Sequence, residues 1–223
     1  MVNAKNLIVH ADDFGLTPGI SRGIIRAIRE GIVSSTSIIV ETPYLSITKK
    51  LVKENPDIDW GIHVVIENPT VPLDQYIVRE TERQIKLFEQ HFQIRPTHLD
   101  YHKGFRFNTK IYFSLRMLVL KLGLAFRYDN RHAVLTDFYG FHNRVNTIEC
   151  IREQSLIQML SQVGAGFTEL VCHPGVTSGR LSDPYRIQRS IELDTLTSLK
   201  VRRAIKLNDI RMSTFKQYTQ LSK

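Results

Sequence analysis

The chain has 223 residues, of which 42% are hydrophobic, and a formal net charge of +8. This length fits one domain or a small barrel, and the hydrophobic content excludes an intrinsically disordered protein. The richest apolar stretch, 115–126, is broken by Lys121 and is too short to span a membrane. Since the chain has only two cysteines and no signal-peptide pattern, we expect a cytoplasmic location.

Strands and amphipathic helices are predicted to alternate along the chain. The predicted strands are 6–10, 34–40, 59–65, 97–102, 124–128, 168–173 and 209–212. The predicted helices are 18–30, 44–54, 74–90, 110–122, 149–162 and 185–199. The first helix has the clearest signals, because Thr17 is a good N-cap, Pro18 suits the first helical position and Gly31 can end it.

This alternation predicts an α/β fold in which helices cover a parallel sheet. Because no glycine-rich dinucleotide-binding turn follows a strand, we favour a distorted or incomplete β/α (TIM-like) barrel of about seven parallel strands over a doubly wound sheet. No repeat or long linker interrupts the chain, so residues 1–223 are predicted to form a single domain.

The positive charge is spread over the predicted helices rather than collected in one tract. No basic run is interleaved with aromatic residues, and no nucleic-acid-binding motif occurs. A solvated basic surface is therefore the favoured interpretation, and we expect neither a nucleic-acid nor a membrane partner.

Polar side chains collect where the predicted strands end. In parallel β/α folds these ends share one face, so the side chains should converge there. The residues are His10, Asp12, Asp13, His63, His98, Asp100, His102 and His173.

The adjacent carboxylates of Asp12 and Asp13 have two interpretations. If the chain turns after the first strand, one can bind a metal while the other takes a proton from water. Alternatively, both acidic residues only favour the dipole of the helix that follows.

The fourth predicted strand carries His98, Asp100 and His102 on one face, because alternate strand residues point the same way. Three buried titratable groups require either a metal or a hydrogen-bonded network. His63 and His173 would each be ordinary buried histidines if they were considered alone. Their positions near strand ends favour a functional interpretation.

Five segments resemble one known family, the YdjC-like carbohydrate deacetylases, which include chitooligosaccharide deacetylases. They occur in the same order as in that family and extend over most of the chain. They read HADDFGLTPGISRGIIRAIREGIVSSTSIIV, GIHV, PTHLDYH, ELVCHPG and PYRIQRSIELDTLTS.

The resemblance implies a distorted β/α barrel that hydrolyses the linear amide of an N-acetylated sugar or oligosaccharide by metal-activated water. Asp13, His63 and His102 would be ligands of a divalent ion, with Mg²⁺ and Zn²⁺ both found in the family. Asp12 would be the general base, and His173 would assist the departing amine.

Two departures from the family pattern concern the same site. Gly104 occupies a position at which the family often has a second histidine, and the stretch 63–98 is shorter than in the family. Two alternatives therefore stay open: hydrolysis of another amide or ester with the same ligands, and a non-catalytic sugar-binding barrel, which Gly104 favours. Homodimer formation is also left open.

Overall fold

A computed structural model describes residues 4–66, 73–102, 109–127, 131–142, 145–176 and 183–221. The strands are β1 (Lys5–Phe14), β2 (Ser35–Ile38), β3 (Asp59–Val64), β4 (His98–Tyr101), β5 (Ala125–Phe126), β6 (Ala133–Leu135), β7 (Phe141–His142), β8 (Val145–Asn146), β9 (Gly166–Cys172) and β10 (Ile210–Met212). The helices are α1 (Pro18–Glu30), α2 (Leu45–Glu54), α3 (Leu73–Phe92), α4 (Thr109–Leu122), α5 (Glu153–Ser161), α6 (Arg186–Leu196), α7 (Leu199–Leu207) and α8 (Phe215–Leu221).

Eight strands form one sheet in the order β5-β4-β3-β2-β1-β9-β6, with β10 beside the first half of β1. All pairings within this sheet are parallel, and β7 and β8 form a separate antiparallel pair. Among the described residues, the edge strands β5 and β6 do not pair with each other, so the barrel is incomplete. The predicted fold class is confirmed, and all the predicted strands form.

The first helix forms as predicted. The Thr17 hydroxyl accepts a hydrogen bond from the Ile20 backbone N–H at 3.2 Å, and Pro18 occupies the first turn. The side chains of Ile20, Ile24 and Ala27 are fully buried against the sheet. This apolar stripe therefore fixes which face of α1 contacts the barrel.

Some elements differ from the prediction in their limits. The predicted helix 149–162 is divided into a 3₁₀ turn (Ile148–Ile151) and α5, because Arg152 between them is extended. The predicted helix 185–199 ends earlier, and Ser198 caps a separate helix, α7. Strand β6 and helix α8 add to the predicted elements.

Strand β1 continues beyond its predicted end and contains an irregularity at the functional residues. Its pairing with β2 shifts register between Ala11 and Phe14. Asp13 lies in this bulge with a φ of 72°, a left-handed conformation that Asp tolerates better than most residues. The bulge breaks the alternation that would direct neighbouring side chains to opposite faces of the sheet.

Helix α8 covers the opposite, amino-terminal end of the barrel. The Asp59 carboxylate at the start of β3 accepts a hydrogen bond from the Phe215 backbone N–H at 2.7 Å. The Phe215 ring stacks on the His98 imidazole with 4.2 Å between ring centroids. None of the helices in the described ranges is long and apolar enough to cross a membrane.

The close packing inside the barrel makes Gly61 of β3 a sensitive position, because a Cβ there would overlap the His98 imidazole. We expect Gly61→Ala to lower the free energy of unfolding by about 1–3 kcal/mol through overpacking. Urea denaturation measures this change. Gly164→Ala is the matched control, since a Cβ there meets open space. Equal denaturation midpoints for the two variants would contradict the close packing of the His98 imidazole against Gly61.

Candidate active site

Three potential metal ligands meet at the mouth of the barrel, the end at which the strands β1, β3 and β4 finish. Asp13 Oδ1 lies 3.0 Å from His102 Nδ1 and 3.3 Å from His63 Nε2. The two imidazole nitrogens are 3.3 Å apart. Asp13 and His63 are buried, whereas the His102 side chain is 21% exposed. The three donor atoms therefore converge on one point that is reached from the side of His102.

The remaining polar atoms of Asp13 and His63 are held by neighbours. His63 Nδ1 lies 3.1 Å from Asp100 Oδ1, which leaves Nε2 directed toward the cluster. Arg189 Nη2 donates to Asp13 Oδ2 at 2.7 Å, which leaves Oδ1 directed toward the same point. A carboxylate that orients a ligating histidine is common in metal sites. The chemistry of this donor set fits a divalent metal ion.

The charges around the cluster set the protonation of its ligands. Burial opposes the charged form of Asp13, but hydrogen bonds from His102 and His63 and the charge of Arg189 hold its pKa well below the ordinary value. Burial likewise opposes the charged form of His63, yet the carboxylates of Asp100 and Asp12 raise its pKa to about 10. A metal ion entering the cluster therefore replaces a proton.

A second buried cluster surrounds Arg127, which follows β5. Its guanidinium donates to both oxygens of Asp12, at 2.6 and 3.0 Å, and lies 2.9 Å from Asp100 Oδ2. Arg127 Nε donates to Glu169 Oε1 at 2.7 Å. His10, Asp12 and Asp100 are close enough to hold a metal, but the guanidinium already lies among their oxygens. The cluster around Asp13 is therefore the better metal site.

His98 and His132 make hydrogen bonds and ring contacts of the kind that structural histidines make. His98 is buried deep in the barrel, edge-on to His10 at 4.6 Å, and hydrogen-bonds to Thr97. Burial lowers the pKa of His98 well below its ordinary value, so it is neutral, as in the hydrogen-bonded network considered above. His132, which carried no predicted role, lies 3.1 Å from Glu169 Oε2.

His173 lies beside Asp12 at the end of β9. Its Nε2 is 3.7 Å from Asp12 Oδ2, and its side chain is 20% exposed. Burial lowers the pKa of His173, although the charge of Asp12 opposes this shift. The imidazolium form is consequently a stronger acid than that of an exposed histidine.

Helix α6 holds the backbone of His173. The His173 backbone N–H donates to Glu192 Oε2, and Arg189 Nη1 donates to the His173 carbonyl at 3.3 Å. The same arginine binds Asp13 and also donates to Asp183 at 2.6 Å. One helix face thus positions both a candidate metal ligand and a candidate acid.

Glu192 is fully buried, and burial raises its pKa to about 8. Its Oε1 accepts a hydrogen bond from the Tyr185 hydroxyl at 2.5 Å. The carboxyl group therefore links the His173 backbone to an aromatic residue at the start of α6.

The five residues to which the family resemblance gives roles come together at the mouth: Asp12, Asp13, His63, His102 and His173. Arg127, Arg189 and Glu192 were not predicted to contribute. The sequence identifies Arg127 only as a cation that follows a two-residue strand. Arg189 and Glu192 lie within a helix, where polar residues are common and do not indicate a site. Gly104 and residues 67–72 of the shortened stretch lie outside the described residues.

Comparisons with known proteins identify a family and its relatives. The family model described as YdjC-like protein matches residues 6–76 and 72–207. A chitooligosaccharide deacetylase of Citrobacter koseri is 28% identical, with 94% of this chain and 97% of the relative covered. A carbohydrate deacetylase of Thermoanaerobacter pseudethanolicus is 26% identical, with 95% and 98% covered.

Solved structures share the fold. A crystal structure from Enterococcus faecalis, suggested to be a cellobiose-phosphate cleavage protein, has a TM-score of 0.80 and 24% identity, with 97% of this chain and 99% of that chain covered. A peptidoglycan deacetylase of Bacillus subtilis has a TM-score of 0.60 and 14% identity, with 100% and 93% covered.

The buried guanidinium of Arg127 suggests a first test of the site. Arg127→Leu leaves Asp12, Asp100 and Glu169 without their shared cation, so we expect it to lower the free energy of unfolding by about 3–5 kcal/mol. Chemical denaturation measures the loss. Arg26→Leu removes an exposed ion pair with Glu30 and should change little. Similar losses in both variants would show that the buried cluster does not depend on Arg127.

The raised pKa of Glu192 suggests a test by pH. Between its ordinary value of 4.5 and about 8, the folded protein holds a proton that the unfolded chain releases. The free energy of unfolding should therefore fall with rising pH in this window, by at most about 1.4 kcal/mol per pH unit. Denaturation from pH 4 to 9 should show Glu192→Gln gaining stability relative to the wild type as pH rises.

The control for this measurement is Glu54→Gln, which changes an exposed glutamate at the end of α2. Its pH dependence should follow that of the wild type. A Glu192→Gln variant with the same pH dependence as the wild type would rule out a protonated Glu192 in the folded protein.

Proposed function

This chain belongs to the YdjC-like protein family, and from that premise we propose that it is a metal-dependent carbohydrate deacetylase. The reaction is hydrolysis of an acetamide on an N-acetylated sugar, which yields acetate and a free amine. The observation that carries this proposal is the convergence of Asp13, His63 and His102 beside Asp12 and His173. The names of the relatives from Citrobacter koseri and Thermoanaerobacter pseudethanolicus support the substrate class.

Asp13, His63 and His102 would hold the divalent ion. Two imidazole nitrogens and one carboxylate oxygen suit Zn²⁺ or another transition metal better than Mg²⁺, which prefers oxygen ligands. When bound, such an ion supplies a Lewis acid that activates water and stabilises negative charge on the amide oxygen. Arg189 and Asp100 keep the ligands oriented by occupying their other polar atoms.

Asp12 is the proposed general base. Its two oxygens accept hydrogen bonds from Arg127, and each carboxylate oxygen has a second lone pair available. Arg127 therefore fixes the direction of the carboxylate without using all of its acceptor capacity. In this role Asp12 takes a proton from the attacking water as the new C–O bond forms.

His173 is the proposed proton donor to the departing nitrogen. Its Nε2 lies on the same side of the mouth as Asp12 Oδ2, at 3.7 Å. When the C–N bond breaks, the amine requires a proton, which the imidazolium form of His173 would give. Burial lowers the pKa of His173, so this form gives up its proton readily and takes another from solvent before the next turnover. Glu192 and Arg189 hold its backbone during this step.

The proposal is tested by measuring acetate release from N-acetylglucosamine and short chitooligosaccharides. Chelated protein is compared with protein reconstituted with Zn²⁺ or Mg²⁺. Metal-dependent release of acetate is the expected result. Release from simple esters or other amides alone would favour a different hydrolase, and sugar binding by metal-loaded protein without any release would favour a non-catalytic barrel.

A pair of isosteric variants separates the two adjacent carboxylates. Asp12→Asn should retain metal but lower kcat by about 10²–10⁴-fold, because the general base is lost. Asp13→Asn should lose metal and activity together, because it removes a charged ligand. Asn tolerates the left-handed backbone of residue 13, so the fold should be kept. Elemental analysis and acetate release provide the two readouts.

Two results would contradict these roles. Asp12→Asn with unchanged turnover would remove the residue as the base. Asp13→Asn that keeps both its metal and its activity after chelation and dialysis would remove it as a ligand.

A further inference from the structure

An exposed aromatic ring lies beside the proposed proton donor. The Tyr139 ring is 5.4 Å from the His173 ring, measured between centroids, in an edge-to-face arrangement. Tyr139 is 39% exposed, whereas the neighbouring Tyr185 is 7% exposed. Neither the metal site nor the proton transfers described above use this ring.

The backbone around Tyr139 is fixed by its two neighbours. Phe138 is 1% exposed and anchors the segment in the protein interior. Gly140 has no room for a side chain, because a Cβ would meet Gln188 Cγ at 2.6 Å and Ile151 Cδ1 at 2.8 Å. The Tyr139 carbonyl also accepts a hydrogen bond from the Thr147 hydroxyl at 3.0 Å. The exposed ring therefore sits on a rigid support rather than on a free loop.

The ring is also supported from one side by a second tyrosine. Tyr139 and Tyr185 stack with 4.9 Å between centroids and an angle of 12° between planes. The Tyr185 hydroxyl donates to Glu192 and accepts from the Gly140 backbone N–H at 2.6 Å. Because these bonds fix Tyr185, they also fix the height and tilt of the ring stacked on it. The orientation of Tyr139 is thus set before any ligand binds.

A pyranose ring that bears equatorial hydroxyl groups presents axial C–H groups on its faces. Such a face is apolar and slightly positive, so it is attracted to the negative face of an aromatic ring. A flat, rigid aromatic surface provides this contact at little cost in conformational entropy. Its position beside the group that donates to the departing nitrogen means that the contacting sugar carries the scissile acetamide.

We propose that Tyr139, supported by Tyr185, is the stacking surface for the pyranose ring of the sugar that is deacetylated, and thereby selects pyranose amides over acyclic ones. This inference rests on the proposed function, which supplies the N-acetylated sugar. It assigns to Tyr139 a binding role through its ring face, and the hydroxyl is not needed. The acid–base chemistry stays with Asp12 and His173.

The test uses metal-loaded wild type with Tyr139→Ala, Tyr139→Phe and Phe113→Ala. Phe113 is the matched control, because it is an exposed aromatic side chain on α4. With the dimer of N-acetylglucosamine as substrate, we expect Tyr139→Ala to raise KM about tenfold with kcat within about twofold. Tyr139→Phe and Phe113→Ala should stay near the wild type. Unchanged metal content and thermal midpoint show that the fold is kept.

Three kinetic results would overturn the inference. Equal KM values for Tyr139→Ala and wild type would show that the ring contributes no binding. A fall in kcat with KM unchanged would show that Tyr139 acts only by positioning His173. A Tyr139→Phe variant as impaired as Tyr139→Ala would assign recognition to the hydroxyl rather than to the ring.

Failure of the proposed function is recognised separately, because the wild type would then release no acetate from any N-acetylated sugar. In that case the same sugar dimer is titrated into wild type and Tyr139→Ala by calorimetry. Binding that the variant loses supports the stacking surface. Equal binding, or none in the wild type, overturns it.

Discussion

The site depends on arginines that balance the negative charges of several carboxylates buried at one end of the parallel barrel. Asp12, Asp100 and Glu169 share the guanidinium of Arg127, and Asp13 has Arg189. Unpaired carboxylates at these depths would take up protons, because burial disfavours the charged form. The two arginines lower the pKa values of Asp13, Asp100 and Glu169 against the effect of burial, and they fix the directions of all four carboxylates. Because Asp12 and Asp13 pair with different arginines, the proposal gives these neighbours different roles.

The division of roles also requires the bulge in β1. In a regular strand, Asp12 and Asp13 would point to opposite sides of the sheet, one to the barrel interior and one to the covering helices. The left-handed backbone of Asp13 allows its carboxylate to reach His63 and His102 while Asp12 reaches Arg127. The left-handed residue at this point therefore belongs to the proposed site, and the pairing of β1 with β9 holds the strand that carries it.

The order of elements and the convergence of the polar residues could be predicted from the sequence, because both follow from periodicity and from the rule that parallel strands end on one face. Resemblance to a family supplied the individual roles of Asp13 and His102. The contributions of Arg127 and Glu192 could not be predicted, since their partners lie 115 and 19 residues away and only the fold brings them together. Likewise, Tyr139 lies in a segment without periodicity, and its orientation follows from the burial of its neighbours.

Helix α6 connects the parts of the site that the barrel strands alone would leave independent. Arg189 and Glu192 are three residues apart, so they lie on one face of the helix. Through them, the same face holds Asp13 and the His173 backbone, and Glu192 extends the contact to Tyr185. The proposed metal ligand, proton donor and aromatic surface are therefore positioned by one rigid element, so a displacement of α6 would alter all three together. The precision of the mouth depends on this helix as much as on the strands.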